Sequence, residues 1–176
     1  MFNKVLVPLD GSELAECALV QVKNLAQQAL IGKVTLLSIV EMKLTLADIP
    51  LNDLGIGIEF DFPPQLHEEL DIYRNYLTRV EYQLRFEGLN VESVVLGGNH
   101  PAKNIIDFAN ENSMDLIVIA THGYRGVKRL LLGSVASKVL HEAHVAVLLI
   151  RPEAELYDGV GPGIATENFS GRSLHS

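Results

Sequence analysis

The sequence predicts an α/β fold: one five-stranded parallel sheet with helices on both faces. Two observations predict it. Short apolar runs alternate with segments whose apolar residues recur at helical spacing. The runs also lack the polar alternation of a half-solvated antiparallel sheet, so helices should cover both sides.

The elements follow in order. Val5-Leu6-Val7 is a buried-strand run stopped by Pro8-Leu9-Asp10-Gly11-Ser12. From Ser12 the period turns helical through Ala15, Ala18, Leu19, Val22, Leu25, Ala26, Ala29 and Leu30, with Gly32 as the expected stop. Val34 to Val40 is the second strand, and strand, helix, strand in this order predicts a right-handed βαβ unit. Glu41 to Pro64 carries Pro50, Gly55, Gly57 and Pro63 without a period and reads as a long loop. Helical spacing resumes at Leu66, Leu70, Tyr73, Leu77, Val80 and Leu84 and ends at Gly88. Val91 to Leu96 is strand three. Pro101 then opens a helix, a position where its missing N–H costs nothing, with Ile105, Ile106, Phe108 and Ala109 on the apolar face. Asp115 to Ala120 and Val145 to Ile150 are strands four and five, with a helix from Ser134 to Ala143 between them. Residues 1–151 are expected to form one domain. The extension 152–176 has too few large apolar residues, at no regular spacing, to build a core of its own.

Composition narrows the function. The 176 residues are 48% hydrophobic and 20% charged, as in one ordinary globular domain. Lys and Arg number 14 against 22 Asp and Glu, a formal charge of −8 that repels phosphate backbones and anionic lipid surfaces, so neither nucleic acid nor membrane is an expected partner. The single Cys17 can form neither an internal disulfide nor a CxxC zinc site, and it reads as a small core residue. No run approaches the roughly 20 apolar residues of a membrane span, and the N-terminal run is too short for a signal segment. A soluble, cytoplasmic protein is expected.

The stretch with most chemical content runs from Ala120 through His122 and Gly123 to Gly133 and Ser134, from the end of strand four into a helix. In a doubly wound sheet, ligands bind at that end of the strands. Gly123 allows close backbone approach, and the helix start at Gly133-Ser134 offers N–H groups without internal partners. Arg125, Lys128 and Arg129 add local positive charge in an acidic chain. The same residues also fit an unliganded loop with Ser134 as an ordinary N-cap. His122 could act as a general base, but no nucleophile with an orienting acid accompanies it, so lining a pocket is its simpler role. Asp10 could hold a divalent ion or simply form a turn before Gly11. Tyr73, Tyr76 and Tyr82 read as packing residues with wet hydroxyls. A dinucleotide fingerprint is absent after strand one, a Gly-Lys-Ser/Thr phosphate loop is absent throughout, and strand three ends without the Asp of a phosphoacceptor domain.

These residues resemble the universal stress proteins. The opening VLVPLDGSE is similar to that family's first strand with its Asp. His122-Gly123, nine residues, then Gly133-Ser134 matches most of the ATP-binding subgroup's pattern, with Ala120 where that pattern begins with Gly and Ala136 where some relatives carry a hydroxyl. The resemblance spans Met1 to Arg151. It implies a flavodoxin-like, adenine nucleotide alpha hydrolase-like sheet in the order 3-2-1-4-5. It further implies that Pro8 and Asp10 flank the ribose, that the Val40 backbone meets the adenine edge, and that Ala120, His122 and Gly123 line the ribose and phosphate path. Gly133, Ser134 and Val135 would hold the phosphates. The implied ligand is ATP with Mg²⁺ or Mn²⁺, with no assigned catalytic residue and at most slow hydrolysis. The implied role is a nucleotide-dependent regulatory or interaction module in stress response, homodimeric through Val145 to Ile150. A dimeric scaffold of the same fold that binds no nucleotide is the alternative.

Overall fold

The computed structural model describes residues 1–41, 64–121 and 132–151, with the side chains of 64–67 also outside the description. Along the chain lie β1 (Phe2–Pro8), α1 (Glu13–Gln27), β2 (Ile31–Val40), α2 (Pro64–Phe86), β3 (Val91–Gly97), α3 (Pro101–Glu111), β4 (Leu116–Ala120), α4 (Ser134–Glu142) and β5 (Ala146–Ile150). All strands are parallel, in the order β3-β2-β1-β4-β5. The sequence expectation of order and class is met. The expected loop from Glu41 to Pro64 and the extension 152–176 fall almost entirely outside the described residues.

Strand alternation sends successive side chains to opposite faces. Val5, Val7, Val34 and Leu36 pack with Ala18, Leu19, Val22, Leu77, Val80 and Leu84 of α1 and α2. Leu6, Leu37, Ile117 and Ile119 pack on the other face with Ile105, Ile106, Ala136 and Val139 of α3 and α4. Both faces of the central strands are therefore dry, which is why their sequences are nearly continuous in apolar residues. The two halves of the sheet meet where β1 pairs with β4, in the register Val5 with Leu116 and Leu6 with Ile117. Asp115 secures that junction. Its Oδ2 accepts the backbone N–H of Asn3 at 2.7 Å and of Lys4 at 2.9 Å.

Local chemistry sets most element ends. Ser12 caps α1 by accepting the Ala15 N–H at 3.1 Å. Gly88, at φ 89°, ends α2 as expected, and Pro101 occupies the first turn of α3. The end of α1 differs from expectation. The helix stops at Gln27, and Ala29, not a glycine, takes the left-handed conformation at φ 55°. Gly32 instead lies inside β2, where a Cβ would stand 2.6 Å from the Asn3 carbonyl oxygen of β1. Close approach between neighbouring strands explains that glycine, not helix termination.

The tyrosines also divide. Tyr82 projects into solvent, contrary to the expected packing role, whereas Tyr76 is buried among the α1–α2 core. Its hydroxyl is buried beside the Glu16 carboxylate, and the contact between the two falls short of good hydrogen-bond geometry. Burial first, and then the charge of Glu16, raises the Tyr76 phenol well above its ordinary range.

Two outcomes are expected. Gly32→Ala forces β1 and β2 apart or shifts their backbones, and urea unfolding should show a loss of about 1–3 kcal/mol; parental stability would contradict the close contact. Tyr76→Phe removes a buried hydroxyl with no good partner, so thermal melting should show unchanged or raised stability. A loss above about 1 kcal/mol would mean that the hydroxyl makes a bond worth keeping.

Candidate functional site

The chain leaves β1 toward α1 on one face and leaves β4 toward α4 on the other. Neighbouring strands that diverge this way open a crevice at their carboxyl ends. A cavity of about 290 Å³ occupies it.

The β1 side of the cavity is rigid. Oδ1 of Asp10 accepts the Ser12 N–H at 3.0 Å and the Ser12 hydroxyl at 2.6 Å. Gly11 between them sits at φ 83°, a conformation that favours glycine. Below the turn, the buried Ser38 hydroxyl donates to the Leu9 carbonyl at 2.7 Å. Pro8, Asp10 and Ser12 are thereby held at the cavity wall, where Leu14 and Ala15 of α1 join them.

The opposite wall is the start of α4. Gly133, not Ser134, is the N-cap, and Ser134 is the first helical residue. The first helical bond runs from the Ser137 N–H to the Gly133 carbonyl at 2.8 Å. The N–H groups of Ser134, Val135 and Ala136 consequently lack acceptors within the helix. Gly133 through Ala136 line the cavity, with Ala120 from β4 beside them. The floor is aliphatic: Leu37 and Ile39 of β2, Ile119 of β4, and Ile105 with Pro101 of α3.

This arrangement gives the cavity a polarity. Among the described lining residues Asp10 alone carries a formal charge, at one end. The other end has the positive pole of α4, equivalent to roughly half a charge. The field of Asp10 reaches the tyrosines behind it: burial first and Asp10 next raise the Tyr73 phenol. Such a cavity suits an elongated ligand with a flat or apolar body, a hydroxylated middle and an anionic end.

Of the residues singled out from the sequence, the structure brings together Pro8, Asp10, Ala120, Gly133, Ser134 and Val135. It does not bring Val40 to the cavity. Val40 is buried at the end of β2, its carbonyl accepts the Gly98 N–H at 2.9 Å on the β3 side, and Ile39 takes its place in the lining. His122 and Gly123, with Arg125, Lys128 and Arg129, lie outside the described residues. Cys17 is half-buried on α1 with its thiol toward the Glu13 carbonyl, away from the described lining. Among the described residues no group of three His, Cys, Asp or Glu could hold a metal, and no helix is long and apolar enough to cross a membrane. Sequence reasoning missed the aliphatic floor. Ile105 carried a signal as an apolar-face residue of α3, but nothing local showed that it reaches this end of the sheet.

Known proteins share this architecture. A universal stress protein of Methanocaldococcus jannaschii, MJ0577, is 28% identical over 159 residues, covering 86% of this chain and 96% of that protein. The solved MJ0577 structure superposes with a TM-score of 0.62 at 26% identity, over 86% of this chain and 96% of that one. The universal stress protein UspA of Lactobacillus plantarum gives a TM-score of 0.62 at 27% identity, over 85% and 97%. A universal stress protein of Archaeoglobus fulgidus, solved in complex with dAMP, shares the fold with a TM-score of 0.52 at 23% identity, over 85% and 97%. The model of the Universal stress protein family matches residues 1–151, the span that carries every described strand and helix. With sheet order, opening strand and likeness all in agreement, the chain belongs to the universal stress protein family.

Proposed function

We propose that the cavity binds an adenine nucleotide, ATP with Mg²⁺ or Mn²⁺, and that the protein is a nucleotide-dependent regulatory or interaction module in stress response. One observation carries this reading: the N–H groups at the start of α4, which have no acceptor within the helix, line the same cavity as the fixed carboxylate of Asp10. Phosphates belong at the first and a sugar at the second. With Oδ1 engaged by Ser12, Oδ2 of Asp10 remains to accept a ribose hydroxyl. The base lies against the aliphatic floor at Ile39 and Ile105, and Ala120 flanks the path to the phosphates. His122 and Gly123 complete that path.

A divalent ion supplies charge neutralisation for the phosphates. Asp10 is the one carboxylate of the described lining, so the ion arrives with the nucleotide and is held largely by phosphate oxygens. No catalytic residue is assigned: the Ser12 hydroxyl and the Asp10 carboxylate, 2.6 Å apart, serve to hold the β1 turn, and at most slow hydrolysis goes with this reading. The dAMP bound by the Archaeoglobus protein supports an adenine mononucleotide as a ligand that this fold accommodates. A dimer through β5 belongs to the same proposal. That strand lies at the sheet edge, none of its five residues is fully buried, and an isologous contact would cover it.

Two measurements test the proposal. Ser134→Asp should fold as the parent does, because a carboxylate in the first turn of a helix is favourable by about 0.3–1 kcal/mol. Calorimetry should nonetheless show ATP binding weakened at least about tenfold, with adenosine affected less. Unchanged ATP binding by the folded variant would remove the phosphate assignment and favour the scaffold without nucleotide. Val147→Lys should shift the parent homodimer toward monomer in light scattering at micromolar concentration. A monomeric parent would contradict the edge pairing.

A further inference from the structure

Among the described residues of α2, the exposed large apolar side chains are Ile72, Tyr82 and Phe86, with relative exposures of 52%, 72% and 86%. They are not scattered. With Asn75 and Arg79 they occupy positions 72, 75, 79, 82 and 86, the alternating three-and-four spacing of a coiled-coil seam. The seam lies away from the face that buries Tyr76, Leu77, Val80 and Leu84 against the sheet. Alpha-helix α2 has 23 residues, so it is about 35 Å long.

Its charge pattern selects the occupant. The described acids near the start, Glu68, Glu69 and Asp71, precede Arg74, Arg79 and Arg85 in the second half. We propose that α2 is a self-association surface, on which two copies of this chain pair antiparallel about a two-fold axis beside Thr78. In that arrangement Asp71 of each copy lies opposite Arg85 of the other, Ile72 opposite Tyr82, and the Asn75 amide opposite the Arg79 guanidinium. Phe86 covers the end of the seam. The contact is self-complementary, as a closed two-fold interface requires.

The existing pairs leave room for this contact. Asp71 pairs with Arg74 at 2.9 Å, both side chains more than half exposed, and such a surface pair is weak enough to rearrange. Arg85 keeps its bonds to the largely buried Glu81 at 2.7 Å through Nη2 and to the Val91 carbonyl at 2.8 Å through Nε, and offers Nη1 to Asp71 of the other copy. A single helix pair falls short of the roughly 800 Å² per partner of a standard interface, so the association is weak and concentration-dependent. It is separate from pairing at β5 and from nucleotide binding.

Disulfide trapping tests it. In full-length protein carrying Cys17→Ser, Thr78→Cys places one thiol beside its own copy at the axis, while Glu111→Cys supplies an exposed thiol on α3. With diamide as oxidant at tens of micromolar protein, Thr78→Cys should form covalent dimer at least about tenfold faster than Glu111→Cys. Adding Tyr82→Glu and Phe86→Glu should return it to the control rate, with circular dichroism showing the parental fold. Equal trapping of the two thiols overturns the proposal, and so does trapping that survives the two glutamates. If the glutamates unfold the chain, the comparison of the two thiols still decides.

Discussion

The pairing of β1 with β4 is the constraint on which the remaining structure depends. It joins the two halves of the sheet in the register Val5 with Leu116 and Leu6 with Ile117, and Asp115 ties its lower end through two backbone N–H groups. Because α1 and α4 leave this pair toward opposite faces, the crevice between the strand ends cannot be closed by either helix. The dry packing on both faces fixes the strand positions, and they fix the separation of Asp10 from the start of α4. Core and site are thus one construction: residues that only pack, such as Leu6 and Ile117, set the distance across which a ligand must reach.

Within that frame the cavity works by contrast. One end is a carboxylate whose orientation is already fixed by Ser12, so a ligand need not order it. The other is a helix start with N–H groups held in place by the first turn of α4. The floor offers aliphatic surface and no charge. A ligand that satisfies all three regions must carry different chemistry along its length, which is why a nucleotide fits the reading better than a free anion or an apolar molecule.

Much of this was legible in the sequence, for definite reasons. Continuous apolar runs revealed strands buried on both faces, and Gly88 and Pro101 marked a helix end and a helix start. Asp10 and Gly133-Ser134 were legible because turns and helix starts use local chemistry. The misread features depend on distant partners. Gly32 resembled a helix stop, but its reason is the Asn3 carbonyl of the adjacent strand. The run Val34 to Val40 gave no phase, so nothing local showed that the Ile39 side chain reaches the cavity. Tyr82 has the same residue type and helical setting as Tyr76, and only the packing of α1 against α2 separates the exposed ring from the buried one.

The most direct measurement is a calorimetric titration of the full chain, freed of carried-over ligand by unfolding and refolding, with ATP and Mg²⁺ and separately with inorganic triphosphate and Mg²⁺. The account predicts saturable ATP binding at one nucleotide per chain, with triphosphate bound more weakly because it leaves the Asp10 end and the aliphatic floor unused. No ATP binding by correctly refolded protein, or equal binding of triphosphate, would contradict it.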